Sequence, residues 1–276
     1  MKASMVEGPG SVSGAPHLPP GFTDTFTSRY VDTGDVRLHA VTGGQGPALL
    51  LLAGWPQSWY AWRLIMPALA ADFQVVAVDP RGVGLSDKPR DGYDTGTLAA
   101  DMVALMAALG HRRFSMVGHD VGMWTGYALA ADHPERLERL AVAEAAIPGL
   151  SPSPPLFHGT QANDRLWHFA FNRLSELNEL LIQGKERVFF GHQFATKAVR
   201  KLPDHAVEHY VGPSPPTPTP CAPASRSTAP STPPSRRTSG ARPGGWPFPS
   251  WRSPVRATPE TWSRRPCGSP PTTWKA

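Results

Sequence analysis

A short segment near the middle of the chain most constrains what this sequence can fold into. The apolar run Arg113–Val117 leads into Gly118-His119-Asp120-Val121-Gly122, and a helical pattern of small residues, Met123–Ala130, follows. A strand, a sharp turn and a helix in this order favour a nucleophile elbow, where flanking glycines leave room for a strained residue. Asp120 is at the apex, and a carboxylate there can attack an electrophilic carbon to form an ester. The alternative, an aspartate that caps the next helix, stays open on these residues alone.

Apolar runs separated by turn signals predict an α/β fold for the first half of the chain. Helices are expected from a Ser58 cap to Ala71 and from Thr95 to Leu109, where Gly110 is a stop signal. Alternating strands and helices indicate a parallel-rich sheet with helices on both faces, and ligands bind at the carboxyl ends of such strands. Besides the elbow strand, the predicted strands are Phe26–Val31, Val36–Val41, Pro47–Ala53, Phe73–Val78 and Leu137–Glu144.

The chain changes character after residue 147. A proline-rich loop is followed by helical patterns rich in aromatic residues, and helices inserted after a strand indicate a cap over the cleft. We therefore divide the chain into a flexible segment 1–25, a core 26–147, a helical cap 148–211 and a tail 212–276. The predicted cap helices are Arg165–Arg173, Leu177–Ile182, Glu186–Ala195 and Asp204–Val211.

Three motifs at predicted strand ends carry a family resemblance. Gly54-Trp55-Pro56-Gln57, Asp79–Ser86 and Gly118–Gly122 resemble the α/β-hydrolase family, and most of all its epoxide hydrolase branch. Haloalkane and haloacetate dehalogenases are close relatives of that branch. The resemblance covers about Phe26–Val211. It implies an α/β-hydrolase core with a helical cap, a small epoxide or related electrophile as the substrate, and no cofactor or metal.

The resemblance also assigns roles to residues around the elbow. Asp120 would be the nucleophile, and the backbone N–H groups of Trp55 and Val121 would form the oxyanion hole. Ala53 stands where the family usually has a histidine before the glycine. Because the donor in the hole is a backbone group, we expect this difference to leave the hole intact.

Two further residues resemble site residues of the family. Glu144 matches a triad acid at the end of the strand after the elbow; the alternative is a surface glutamate. Its neighbours from Leu140 to Ala146 are otherwise apolar, and a glutamate buried there is costly unless paired. His168, in Trp167-His168-Phe169, resembles a cap histidine that donates a proton to the epoxide oxygen. A hydrogen-bonded core histidine is its alternative.

The last quarter of the chain departs from the family pattern. Residues 212–276 hold 17 of the 32 prolines, nine Lys or Arg, a single acid and no histidine. The net charge of +5 belongs to this tail, so it does not indicate that the body binds nucleic acid. The composition is typical of disorder, and the final strands and the triad histidine are absent. We interpret the break as a frameshift near Tyr210–Pro213, and we expect the chain as written to lack turnover.

Composition limits the remaining possibilities. No stretch is long and apolar enough for a membrane span, residues 1–20 lack a signal core, and a cytoplasmic location is expected. Cys221 and Cys267 define neither a disulfide framework nor a metal site.

Val121 offers no halide donor, which favours an epoxide over the dehalogenase alternative. A non-catalytic binding protein and a product without function stay open, as do the oligomeric state and the natural substrate.

The frameshift hypothesis predicts a specific result for the coding DNA. The alternative reading frame should be open from codon 212 onwards and should encode tyrosine in place of Thr228, where a second cap donor is expected. Sequencing through codon 212 and past codon 276 tests this, and frequent stop codons in the shifted frame would contradict it.

Overall fold

A mixed seven-stranded sheet forms the centre of the described part of the chain. The computed structural model describes residues 7–147, 150–152, 159–174 and 176–212. The sheet order is β1-β2-β3-β5-β4-β6-β7. The strands from β5 through β4 and β6 to β7 are parallel, whereas β1, β2, β3 and β5 pair antiparallel. The strands are β1 (Glu7–Ser11), β2 (Phe26–Asp32), β3 (Arg37–Gly43), β4 (Ala48–Leu52), β5 (Gln74–Asp79), β6 (Phe114–His119) and β7 (Leu137–Ala143).

Helices alternate with the strands in the first half of the chain, and further helices follow the last described strand, in the region predicted to form the cap. The longest begins at Asp94, whose Oδ1 accepts a 2.9 Å hydrogen bond from the N–H of Thr97, and it stops before Gly110, which has a φ of 91°. None of the helices in the described ranges is both long and apolar enough to cross a membrane. The helices are α1 (Phe22–Thr25), α2 (Met66–Leu69), α3 (Thr95–Ala108), α4 (Val121–Asp132), α5 (Thr160–Asn172), α6 (Leu177–Ile182), α7 (Glu186–Lys197) and α8 (Asp204–Val211).

Strand β4 lies at the centre of two hydrophobic clusters. All five of its residues are buried, as its continuous apolar run predicts. Leu49 and Leu51 join a cluster that includes cap aromatics, whereas Leu50 and Leu52 pack with α3 on the other face. Burying one such leucine contributes about 1.5–3 kcal/mol. The cap therefore shares a hydrophobic core with one face of the sheet.

The structure differs from the sequence-based expectation in two places. Part of the segment predicted to be flexible, residues 1–25, has regular structure: within residues 7–25, β1 pairs with β2, and Val12 and Phe22 are buried in the core. Ser58 caps only a 3-10 turn, Trp59–Trp62, and α2 starts again just before Pro67, a residue suited to a first helical turn. The tail after Gly212, with its expected disorder and frameshift, lies outside the described residues.

A buried chain of hydrogen bonds links the antiparallel strands to the loops at the site. Ser28 Oγ lies 2.5 Å from His39 Nε2, and His39 Nδ1 lies 2.8 Å from Asp79 Oδ2. The other carboxyl oxygen of Asp79 accepts from the N–H of Trp59 at 2.8 Å, and Leu85 N–H donates to Oδ2 at 3.2 Å. Asp79 therefore anchors both the loop after β4 and the loop after β5.

A buried ion pair joins the loop after β5 to α3. Arg81 Nε and Nη2 each lie 2.6 Å from a carboxyl oxygen of Asp101, and the two side chains are 3% and 5% exposed. A second carboxylate, Asp35, contacts Arg81 Nη2 at 2.7 Å from an exposed position. Breaking a buried pair is costly because the remaining charge stays desolvated.

We predict that Asp101→Asn lowers the free energy of unfolding by about 3 kcal/mol, because it removes the carboxylate that neutralises buried Arg81. Urea denaturation measures this change. Glu208→Gln, in an exposed pair with Arg187, is the matched control and should change stability by less than about 1 kcal/mol. Equal effects of the two substitutions would contradict the prediction.

Candidate active site

Asp120 occupies a strained turn between β6 and α4. Its φ of 55° and ψ of −114° lie in a region that non-glycine residues rarely adopt, at a cost of about 1–3 kcal/mol. Its N–H donates to the carbonyl of Ala143 at 2.9 Å, and its own carbonyl accepts from Met123 N–H at 2.9 Å. The Asp120 side chain makes no capping hydrogen bond to α4. The geometry therefore favours the nucleophile elbow over the helix-capping aspartate.

Close backbone contacts explain why glycines surround this turn. A Cβ added to Gly118 would overlap the carbonyl of Gly122, and one added to Gly122 would overlap the carbonyl of Leu52. A Cβ on Gly54 would overlap the Cβ of Asp120. The elbow, the first turn of α4 and the loop after β4 thus meet at distances that only glycine permits.

The two predicted oxyanion-hole donors act on the carboxyl group of Asp120. The N–H of Trp55 donates to Asp120 Oδ1 at 3.1 Å, and the N–H of Val121, the first residue of α4, acts on the same carboxyl group by lowering its pKa. Burial raises the pKa of Asp120, while these two N–H groups and the charge of Lys197 act in the opposite direction. The site therefore holds a desolvated carboxyl group next to two fixed backbone donors.

His168 reaches this site from the cap helix α5. It is 8% exposed, and its ring is stacked on the Trp55 ring at 5.6 Å between centroids and 12° between planes. Phe189 and Phe190 of α7 pack on the same indole, at 6.1 and 5.8 Å. Burial, together with the charge of Lys197, lowers the pKa of His168 to about 3, so the ring is neutral at physiological pH.

Lys197, at the end of α7, is a site residue that the sequence analysis missed. Its Nζ lies 2.7 Å from Nδ1 of His168 and 6.0 Å from the centre of the Trp55 ring. The helical spacing of the sequence could have identified it. Phe190 and Phe194 are buried, and Lys197 follows three residues later on the same side of the helix. Lys197 is exposed overall, but its ammonium group reaches the buried ring of His168, so it belongs to the candidate site.

Glu144 follows β7 at the carboxyl end of the sheet, where the sequence places it, but its surroundings differ from the expectation. The residue is exposed, as are Ala141, Val142 and Ala143 before it. The expectation that Glu144 needs a partner rested on its being buried. Because Glu144 is exposed among the described residues, that argument does not apply. A triad role for Glu144 stays a prediction.

The candidate active site thus brings together Asp120, Trp55, Val121 and His168, and adds Lys197. The described residues include no cluster of three or more His, Cys, Asp or Glu side chains arranged to hold a metal ion. The ten histidines of the chain all precede residue 212, and among those that the structure describes, the ring of His168 stacks on Trp55.

The profile of the α/β-hydrolase fold matches residues 47–245. The match covers most of the chain and includes the elbow, the loop after β4 and the cap. The chain therefore belongs to the α/β-hydrolase fold family, in the branch that contains the epoxide hydrolases.

Individual relatives agree with this placement. The chain is 46% identical over 114 residues to a soluble epoxide hydrolase of Corynebacterium sp. (strain C12), a match covering 41% of this chain and 40% of the relative. It is 45% identical over 124 residues to a fluoroacetate dehalogenase of Burkholderia sp., covering 43% and 41%. The chain thus matches about two fifths of the length of these curated relatives. The crystal structure of Cfl2 from Burkholderia cenocepacia superposes with a TM-score of 0.65 at 42% identity, covering 70% of this chain and 67% of that one.

We predict that Asp120→Asn stabilises the protein at neutral pH by about 1 kcal/mol, the scale of a single stabilising substitution. Burial raises the pKa of Asp120, so the folded protein is destabilised by the ionised carboxylate at any pH above that raised pKa. Asparagine removes the charge and retains an acceptor for Trp55 N–H.

The stability difference between Asp120→Asn and the wild type should shrink as the pH falls through the raised pKa. It should vanish below the ordinary value of 3.8, where Asp120 is protonated in both the folded and the unfolded chain. Urea titrations of the two proteins across this range measure it. A difference that does not vary with pH would show that the charge is not its cause.

Proposed function

We propose that this chain has an epoxide-hydrolase-type site in which Asp120 attacks an epoxide carbon and becomes esterified. The observation that carries the proposal is the carboxyl group of Asp120, held at a strained elbow by the N–H of Trp55 at 3.1 Å, beneath a neutral histidine of the cap. The relatives that bear the names of epoxide hydrolases support this choice of reaction class.

The first step forms a covalent ester. One carboxylate oxygen of Asp120 forms a bond to an epoxide carbon, the ring C–O bond breaks, and its electron pair goes to the epoxide oxygen. Trp55 N–H holds Oδ1, so attack through Oδ2 leaves the ester carbonyl oxygen next to its donors. The leaving oxygen takes a proton from the ring N–H of His168 and becomes a hydroxyl group, so the neutral ring must regain a proton from a neighbouring donor. The product is a 2-hydroxyalkyl ester of Asp120.

The second step needs a base that activates water. Hydrolysis of the ester transfers a hydroxyl group to the carbonyl carbon, releases a diol and restores the carboxylate, with the Trp55 and Val121 N–H groups stabilising the oxyanion. Glu144 would orient the histidine that takes the proton from water, and no histidine follows His209 in this sequence. We therefore propose that this chain stops at the ester.

A dehalogenase is the second candidate, because the fluoroacetate dehalogenase relative is 45% identical over its matched residues. The same carboxylate would displace a halide from carbon instead of opening a ring. The side chain of Val121 cannot donate a hydrogen bond to a halide or to a substrate carboxylate, so we favour the epoxide.

We predict that incubation with excess styrene oxide adds one molecule of the epoxide to the protein. Intact mass spectrometry follows the adduct, and digestion with trypsin should locate it in the peptide Phe114–Arg136, which contains Asp120. Hydroxylamine should release the adduct, because the linkage is an ester.

Two controls decide between the candidates. Asp120→Asn should form no adduct with styrene oxide, and wild type incubated with fluoroacetate or chloroacetate should release no halide and gain no mass. Halide release would favour the dehalogenase. Sustained production of diol by the wild type would refute the arrest at the ester, and the absence of any adduct would refute the proposed reaction.

A further inference from the structure

The cap lysine suggests how the leaving oxygen obtains its proton. Lys197 ends α7, whereas His168 lies in α5, and the two side chains meet with Nζ 2.7 Å from Nδ1. Lys197 as a whole is an exposed residue, so its stem crosses the edge of the cap while its ammonium points inward to the histidine. The contact is a direct hydrogen bond between two cap helices.

The chemistry of the two groups fixes the position of the ring proton. An ammonium group has three N–H donors and no acceptor, so Lys197 must donate and Nδ1 of His168 must accept. A neutral imidazole that accepts at Nδ1 carries its hydrogen on Nε2. His168 therefore carries its ring hydrogen on Nε2, the form in which a neutral imidazole can donate a hydrogen bond to an epoxide oxygen.

We propose that Lys197 is a positioning residue that fixes this tautomer of His168 and replaces the proton that His168 gives up. The proposal rests on the proposed ester-forming reaction. When the ring opens, the Nε2 proton moves to the epoxide oxygen, and a proton of Lys197 moves to Nδ1. The products are a hydroxyl group, a neutral lysine and the Nδ1–H tautomer of His168.

The proton relay also removes two poorly solvated charges. Before the reaction the site holds the carboxylate of Asp120 and the ammonium of Lys197; afterwards it holds an ester and an amine. Burial acts against both ions, since it raises the pKa of Asp120 and lowers that of Lys197 to about 8. Opening the ring by this route therefore relieves desolvation of both groups, whereas an unprotonated alkoxide would create a new buried charge.

The charged and titratable groups around Lys197 define its expected pH dependence. His168 faces it from α5, and Asp120 faces it from the elbow with a charge that partly opposes the fall in the pKa of Lys197. His119, next to Asp120, acts on that carboxyl group. Because Lys197 loses its proton near pH 8, the rate of ester formation should fall as the pH rises through that value.

The test is the rate of adduct formation with styrene oxide between about pH 6 and pH 10, followed by intact mass. For the wild type we expect the rate to fall above about pH 8. For Lys197→Met we expect a rate about 100-fold lower at pH 7, the scale of general acid catalysis, with no fall near pH 8. Lys197→Arg keeps a charged donor to Nδ1 but does not release its proton, so it should preserve the Nε2–H tautomer while remaining about as slow as Lys197→Met, with no fall near pH 8.

Lys201→Met is the matched control, because Lys201 is an exposed lysine that pairs with Asp204 at 3.1 Å outside the site. It should leave both the rate and the pH profile unchanged. Lys197→Met with the rate and pH profile of the wild type, or Lys197→Arg as fast as the wild type, would overturn the proposal.

A second measurement is independent of the reaction. Nitrogen-15 NMR of the histidine side chains should show His168 as the Nε2–H tautomer in the wild type, with that preference lost in Lys197→Met. If the wild type forms no adduct but the tautomer depends on Lys197, the proposed function fails while the positioning role stands. If the adduct forms but neither the tautomer nor the pH profile depends on Lys197, the proposed role of Lys197 alone is refuted.

Discussion

The contact between the elbow and the loop after β4 is the constraint on which the rest of the site depends. Gly54, Gly118 and Gly122 let three backbone segments approach so closely that no Cβ fits between them. This approach forces Asp120 into its strained conformation and directs its carboxyl group to the N–H of Trp55. Strain at the apex persists because the buried sheet on both sides of β4 and β6 holds it.

Much of the fold and part of the site could be predicted because their signals are local. The continuous apolar run of β4 and the helical spacing of α3 are each set by neighbouring residues, and the structure confirms both. The glycines around Asp120 identify a tight turn without any knowledge of distant contacts. Family motifs then pointed to Trp55 and Val121; the N–H of Trp55 hydrogen-bonds the carboxyl of Asp120, and the role of both residues in an oxyanion hole stays a prediction.

Other features could not be predicted, because they depend on contacts between distant segments. Lys197 and His168 are 29 residues apart, and only the packing of α7 beside α5 brings them together. The N-terminal strand β1 also could not be predicted, because its segment is rich in Gly, Pro and Ser and shows no hydrophobic periodicity. The strand depends on pairing with β2 and on the burial of nearby Val12. The exposure of Glu144 could not be read from its apolar neighbours, since burial depends on what covers β7.

Trp55 links the elbow to the cap, because its backbone and its side chain contact different parts of the structure. Its backbone N–H belongs to the elbow, while its indole ring is packed by His168, Phe189 and Phe190 of the cap. Any displacement of the cap therefore disturbs the residue that supplies the hydrogen bond to Asp120, and any ligand that fixes Asp120 favours one cap position. Linkage requires these two effects to be equal in free energy. A single tryptophan thereby couples the position of the cap to the position of the Asp120 carboxyl group.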